Sequence, residues 1–432
     1  MLLPASAAGS ATCGAARTGA ALPPAVRDHL LRPPADGAPR SGYVYDPAVA
    51  TTRARALRAA LPGWATLLFA VKANGFPPVL GALAAEGGVD GFEVASAAEA
   101  ALARAASPAG RLVAAGPAKH PALLAALLDA GVDLVHVESA LELRRLSALA
   151  VERGERVAVA VRVNPARVDV AGTLAMGGRP APFGVPEPDA PAVLELAAAL
   201  PGLDVVGLHV HAVCGNRDAA AHAAYVGWCL ERAVALAAEH RLDLRWVDAG
   251  GGLGVAYGGG DPLDLELLAD RLGRLRPPAG VEVALEPGRW LAADCGWYAA
   301  EVVDVKESYG TAYAVVRGGV GGFALPATEG FPFPLVVLPV EDWPAGLPRP
   351  ELRDAVVTVA GELCTPEDLL VRDVAVARVR PGDLVVVPQA GAYGWEFALQ
   401  PFLGHPPATR EVVTPRAAPL AAPPVPALEV VP

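Results

Sequence analysis

Positive charge is in short supply in this 432-residue chain: 35 Lys and Arg stand against 46 Asp and Glu, a formal net charge of −11. That balance argues against nucleic acid or an anionic membrane surface as a partner. Long apolar runs are also missing, and none reaches the ~18 residues of a membrane-crossing helix. The start, MLLPASAAGSATCGAAR, lacks a basic n-region and a sustained apolar core, so it is not read as a signal peptide. Cysteine is scarce: five, at positions 13, 214, 229, 295 and 364, odd in number and without CxxC spacing. That pattern argues against a structural zinc site and for a reducing compartment, the cytoplasm. No metal is expected.

What the chain does have is length and rhythm. Residues 1–40 are low in aromatics and punctuated by Pro and Gly, and are expected to be a variable, partly disordered arm; the Pro-rich tail 416–432 is expected to be loose. SGYVYD (41–46) reads as a short strand. From Thr51 to Arg289 apolar strands alternate with Ala/Leu-rich helical stretches. Strand candidates lie at 66–71, 91–95, 111–115, 134–137, 157–163, 205–211, 244–249 and 281–286, with helical patterns such as 140–152, 190–199, 217–240 and 262–275 between them. Eight βα units over ~250 residues have the size and rhythm of a TIM barrel, whose active site lies at the carboxyl ends of its strands. After Cys295, strand-like runs at 299–305, 312–317, 335–339, 355–360 and 383–387 are separated by Gly and Pro, which reads as a β-rich second domain. The expected class is α/β: a (β/α)8 barrel over 41–295 and a β-rich domain over 296–415, with 41–46 as a strand of the latter.

The unusual residues fall at strand ends. Lys72 closes the buried run Leu67–Val71 and precedes the turn-forming pair Asn74-Gly75. A lysine there must be desolvated or paired, unless it snorkels to the surface. Ser96 follows the second strand and Asn164-Pro165 the fifth, while His209 and His211 end the sixth. Gly250-Gly251-Gly252 follows the seventh, and Glu286-Pro287-Gly288-Arg289 ends the eighth. In a barrel these positions converge on one mouth, which favours Lys72 as a site lysine. Three successive glycines offer backbone N–H groups as an anion nest, or simply a tight turn. Phosphate sites in barrels favour the loops after strands 7 and 8, where the glycines and Arg289 fall. Glu286 is either a partner of Arg289 or a site carboxylate. His209 and His211 share a strand face, so a two-histidine metal site is geometrically open, but no third ligand has suitable spacing. A site lysine, a phosphate nest, a carboxylate and a flat imidazole together describe pyridoxal phosphate (PLP), which joins covalently to a lysine amine and acts as an electron sink.

With these residues in place, the chain resembles the barrel-type (fold type III) PLP-dependent amino-acid decarboxylases, which include diaminopimelate and ornithine decarboxylases. The resemblance is carried by YVYD (43–46), FAVKANG (69–75), GFEVAS (91–96), VRVNP (161–165), HVHAVCGN (209–216), DAGGGLG (248–254), EPGR (286–289), GELCTPEDLL (361–370) and QAGAYG (389–394). They stand in the family's order and cover roughly residues 43–410. The resemblance implies that Lys72 attaches the cofactor, His211 stacks on its ring and Glu286 holds the ring nitrogen. It implies that Gly251, Gly252, Arg289 and the Tyr393 hydroxyl bind phosphate, with Gly288 beside them. It also implies that Cys364 enters the barrel mouth of the other subunit of a homodimer and protonates the carbon that lost CO₂, with Asp368 nearby. Read alone, Cys364 is equally a small core residue.

Two departures from the family pattern bear on substrate. The family's phosphate-binding serine after the strand-6 histidine is here Cys214, a weaker donor. Diaminopimelate decarboxylases carry an acidic residue directly after the catalytic cysteine to meet a distal ammonium; here it is Thr365, which disfavours diaminopimelate. Segment 391–413 resembles the branch serving secondary metabolism: siderophore-assembly decarboxylases acting on citryl-diamino-acid conjugates, and decarboxylases of carrier-protein-bound glutamyl groups. The siderophore type is the preferred expectation, with the carrier-bound and diaminopimelate types as alternatives. Candidates for contacts to the distal part of the substrate are Arg162, Arg179, Thr365, Asp368 and His405, with Arg217 and Trp395. A racemase on the same barrel would place arginine where Glu286 stands. A non-catalytic homologue would have lost Lys72, Cys364 or Tyr393.

Overall fold

The computed structural model describes residues 22–34, 37–168, 170–400 and 402–413. Strand β1 (Ser41–Tyr45) joins the β-rich half, and the eight principal strands that follow close on themselves. These are β2 (Ala65–Ala70), β3 (Gly91–Val94), β4 (Arg111–Ala114), β5 (Leu134–Val137), β6 (Val157–Asn164), β7 (Leu203–His209), β8 (Trp246–Asp248) and β9 (Glu282–Leu285). All neighbours are parallel, and β9 pairs back onto β2 with Val283 opposite Ala65. Helices such as Ala140–Arg153, Ala190–Ala199 and Ala219–His240 return the chain between strands. Their limits follow local chemistry: Ser139 Oγ accepts the Glu142 amide at 3.1 Å to start the first, and Gly154 at φ 67° stops it.

The barrel interior is layered. Leu68, Val113, Leu134, Ala160, Val206, Trp246 and Ala284 form one apolar cluster drawn from seven strands. Side chains two residues apart share a face, so the next inward positions after Leu134, Ala160, Trp246 and Ala284 are His136, Arg162, Asp248 and Glu286. The apolar layer is a floor, and polar groups stand on it towards the carboxyl ends. In β7 the step is three, Val206 to His209, because pairing with β6 slips by one residue there.

The second half is built on β10 (Gly296–Ser308), β11 (Thr311–Val316), β12 (Val336–Leu338), β13 (Leu352–Ala360), β14 (Leu369–Val379), β15 (Leu384–Val387) and β16 (Thr409–Val412). The sheet runs β12-β15-β10-β11-β13-β14, and β1 adds to it antiparallel to β10 and parallel to β16. The rhythm of the sequence misses β14 because Arg372-Asp373 interrupts its apolar run, with Asp373 at φ 52°. It misses β16 because TREV carries one apolar residue. Tyr43 of β1 packs on Tyr298 of β10, with ring centroids 5.1 Å apart, and Tyr298 on Phe323 at 5.6 Å.

The expected N-terminal arm contains an ordered piece. Its residues Pro24–Leu30 form a helix that buries Val26 and Leu30 against Val44 and Trp297, and His29 reaches Glu411 at 2.7 Å. Residues 1–21, 35 and 36 of the arm, and the tail 416–432, lie outside the described residues. No helix among the described residues is long and apolar enough to cross a membrane.

Candidate active site at the barrel mouth

Lys72 stands one step beyond β2, in the 3₁₀ turn Val71–Ala73. Its Nζ donates to Glu93 Oε2 at 2.6 Å. Glu93 is the inward residue of β3 and is 1 % exposed, whereas the lysine side chain is 42 % open. Burial works against the ammonium, but the Glu93 carboxylate holds it well above the ordinary lysine range. Sequence reasoning misses Glu93; a carboxylate inside the apolar run GFEV is the available signal.

The turn is held from outside the barrel. Tyr393 N donates to Ala73 O at 2.7 Å, Asn74 Nδ2 to Gly391 O at 2.7 Å, and Gly75 N to Glu396 Oε1 at 3.0 Å. Phe76 packs under Tyr45 of β1 at 5.1 Å. Burial pushes Glu396 up to about 7. The unfolded chain loses that proton near pH ~4.3, so ionisation of Glu396 opposes folding increasingly as pH rises from there to about 7. Glu396→Gln keeps the oxygen that meets Gly75 and removes the charge. Urea midpoints of variant and wild type should nearly coincide at about pH 4, with the variant gaining as pH rises to about 8; a constant difference would contradict this.

A cavity of about 370 Å³ opens beside Lys72. On one wall, His211 lies past the end of β7, not on the strand, so it shares no strand face with His209. Its Nδ1 accepts the Gly251 amide at 3.1 Å, which leaves the proton on Nε2, 3.3 Å from Cys214 Sγ. Burial, followed by the charges of Lys72 and Arg162, holds this imidazole neutral, well below its ordinary pKa. Burial raises the Cys214 thiol as well.

The glycine triplet is less open than expected. Gly250 N is taken by Asp248 Oδ1 at 2.8 Å and Gly251 N by His211, which leaves the Gly252 amide for a ligand. Close packing explains why no side chain fits: a Cβ on Gly251 would run into Glu286 O, and one on Gly252 would lie 2.7 Å from Val213 O. A Cβ on Gly288 would stand 2.7 Å from that of Ala73, so this glycine lets the last loop close on the Lys72 turn. Arg289 is buried, 4.7 Å from the Tyr393 ring centroid and paired with Glu329 at 2.9 Å. Burial pushes the Tyr393 hydroxyl up to about 12. Glu286 is 4 % exposed and borders the cavity.

The distal candidates separate. Arg162 lines the cavity, with Nη1 2.7 Å from Glu138. Arg179 is exposed outside it, and only its carbonyl is engaged, by Asn164. The Asp368 carboxylate accepts the amides of Val320 and Leu363, both at 2.7 Å, and clasps the loop that carries Cys364. His405 lies in the β-rich half, 3.7 Å from Glu362. Thr365 gives its hydroxyl to Glu367. Cys364 is exposed and is not brought to Lys72 of its own chain. Arg217 is exposed and bonds the Asp261 carbonyl; Trp395 bonds that of Ala408.

The residues present fit PLP. A lysine amine is open at the rim, a neutral imidazole is held flat against a glycine turn, and a buried carboxylate stands opposite. A free glycine amide, an arginine and a tyrosine line the same cavity. The class is therefore a PLP enzyme on a (β/α)8 barrel with a β-rich partner domain. The family model for the pyridoxal-binding domain of pyridoxal-dependent decarboxylases matches residues 49–293. The chain belongs to that family, and it is a PLP-dependent carboxy-lyase. It is 33 % identical over 368 residues to a 2-[(L-alanin-3-ylcarbamoyl)methyl]-2-hydroxybutanedioate decarboxylase of Staphylococcus aureus, covering 84 % of this chain and 92 % of that one. It is 31 % identical over 381 residues to the diaminopimelate decarboxylase of Aquifex aeolicus, covering 86 % of both. The crystal structure of the Helicobacter pylori diaminopimelate decarboxylase complexed with L-lysine has the same fold, with a TM-score of 0.77 at 22 % identity, covering 88 % of this chain and 93 % of that one.

Proposed function

We propose that the substrate is an amino-acid unit carried in a polycarboxylate conjugate, of the citryl-diamino-acid kind that the name of the staphylococcal relative describes. The observation that carries this reading is that the acidic side chains lining the cavity are already engaged. Glu93 holds Lys72, Glu329 holds Arg289, and Glu286 faces buried histidines. The residue after Cys364 is Thr365, not an acid. A substrate ending in a second ammonium would have to compete for carboxylates of the cavity wall that already face other groups, and an unpaired buried cation is costly. Arg162 spends one nitrogen on Glu138, and its other N–H groups suit a substrate carboxylate.

PLP, when bound, supplies the sink for the electron pair released as CO₂ departs. Lys72 attaches it, and Lys72 and Glu93 together hold a proton at the rim. His211 offers the face for its ring, and Glu286 the partner for the ring nitrogen. Gly252, Arg289 and Tyr393, with Cys214, bind the phosphate. Cys364 of a second protomer donates the proton to carbon, so the working unit is a homodimer. An apolar stretch supports a partner surface there: Phe397 at the cavity edge, Leu399, Phe402 and Leu403 are each about half exposed.

The test is CO₂ release with product mass spectrometry on PLP-loaded protein, offered a citryl-diaminopropionate conjugate, meso-diaminopimelate, ornithine, lysine and arginine in parallel. Turnover of the conjugate alone is expected. Efficient turnover of diaminopimelate would overturn the reading.

A further inference from the structure

Under the cavity four buried side chains meet: His136 of β5, His209 of β7, Asp248 of β8 and Glu286 after β9. The two imidazoles stack at 4.0 Å and 25°. His136 directs Nε2 at Asp248 Oδ2, 3.5 Å away, and Nδ1 at Glu286 Oε1, 3.8 Å away. All four of these atoms are buried, and the two carboxyls also share a side-chain hydrogen bond with each other. The His136 ring faces both of them. The other Asp248 oxygen is satisfied by Gly250 N, and Glu286 Oε2 stands 3.6 Å from His209 Nε2. Four polar groups in an apolar barrel are costly unless they satisfy one another.

We propose that His136 is a positioning residue that takes up a proton from Glu286 and holds it against Asp248, a relay by which Glu286 meets the cofactor's ring nitrogen as a carboxylate without leaving uncompensated charge in the barrel. This rests on the reading of Glu286 as partner of that nitrogen. In the resting chain the Glu286 carboxyl holds its proton against the Asp248 carboxylate, with His136 Nδ1 poised 3.8 Å from Glu286 and Nε2–H turned towards Asp248. When a cationic ring nitrogen pairs with Glu286, its O–H bond breaks and an N–H bond forms at Nδ1. The imidazolium then lies between two carboxylates. The proton count and net charge of the trio are unchanged, and its single negative charge balances the incoming cation.

The electrostatic setting agrees. Burial, and then the Asp248 charge, raises Glu286 well above the carboxylate range, and burial brings Asp248 to about 7. Burial, followed by Lys119, Arg162 and Lys72, lowers His136 well below its ordinary range, so the resting proton belongs on the carboxyl. Those cations are each held by a carboxylate: Glu142 at 2.8 Å, Glu138 at 2.7 Å and Glu93 at 2.6 Å. His209 and, above it, His211 are likewise pushed towards neutrality, each first by burial. His136 therefore has one place to take a proton from and one to hold it against.

The experiment uses 4′-deoxypyridoxine phosphate, which lacks the aldehyde and so binds without joining Lys72. Its affinity is measured from about pH 6 to 9 for wild type, His136→Asn and Glu286→Gln. Asparagine can bridge the same two carboxyls but cannot accept a proton. His136→Asn is expected to bind the analogue about tenfold more weakly near neutrality, equivalent to one pKa unit, and to lose the pH-dependent step of the wild type. An unaltered pH profile in His136→Asn, with Glu286→Gln weakened, would overturn the relay and leave the Glu286 reading standing. An unaltered Glu286→Gln would overturn that reading first. Infrared difference spectra of the wild type need no variant to fold: analogue binding should remove a protonated-carboxyl band, and its persistence refutes the transfer. Donor atoms of His136, His209 and Glu286 lie within 4.8 Å of one another, so stoichiometric zinc in the purified protein would also overturn the proposal.

Discussion

Lys72→Ala should abolish CO₂ release, a fall on the order of 10³-fold or more in kcat/KM, because the covalent attachment and the proton at the rim disappear together. The same change leaves Glu93 buried without its cation, so lost activity could have two origins. Lys72→Arg separates them: a guanidinium keeps charge near Glu93 and cannot make the covalent link. The expected result is an arginine variant that recovers stability relative to alanine and remains inactive. Borohydride treatment of the PLP-loaded wild type should fix the cofactor on the peptide containing Lys72. The chain has two other lysines, 119 and 306; Lys119 is 1 % exposed and engaged by Glu142. Label on either of them, or full activity in Lys72→Arg, would remove Lys72 from its assigned role.

Cys364→Ala should be nearly inactive on its own, and so should Lys72→Ala, yet equal mixing of the two after dissociation and reassociation should restore about a quarter of wild-type activity. The argument is geometric. Cys364 is exposed on the loop clasped by Asp368 and is not brought to Lys72 of its own chain. If the site is shared, half of randomly mixed dimers carry one protomer of each kind, and one of their two sites then has both residues intact. If each protomer is complete, mixing two dead variants restores nothing. Analytical ultracentrifugation of the mixture shows whether exchange took place.

The sequence carried the barrel well because its strands are buried on both faces and read as apolar runs. Lys72, His211, Gly252, Arg289 and Tyr393 are brought to one cavity, and Glu286 borders it. What it carried poorly has a common physical cause. Glu93 and His136 lie inside apolar strands, where a polar residue is easily passed over as tolerated; only the two-residue step from the apolar floor shows that they point inward. The glycine triplet reads as an open nest because sequence cannot reveal that Asp248 and His211 take two of its amides. Chain position near Cys364 does not reveal that Asp368 takes two backbone amides, nor can sequence show that His405 stands beside Glu362. Strand β14 is hidden by a charged pair at a turn of the backbone that only coordinates disclose.

The three hydrogen bonds from residues 391–396 to the Lys72 turn have a consequence for how such a protein can be cut or recombined. Two segments more than 300 positions apart in the chain define one loop, so the setting of Lys72 is a joint property of both halves. A barrel excised at residue 293 would keep its strands and helices and lose the splint that fixes Lys72 against Glu93. Exchanging the β-rich half between homologues would likewise alter the poise of the lysine unless residues 389–396 travelled with the turn they grip. The Lys72 turn and residues 391–396 are thus one structural unit, and any exchange between homologues must treat the two as one cassette.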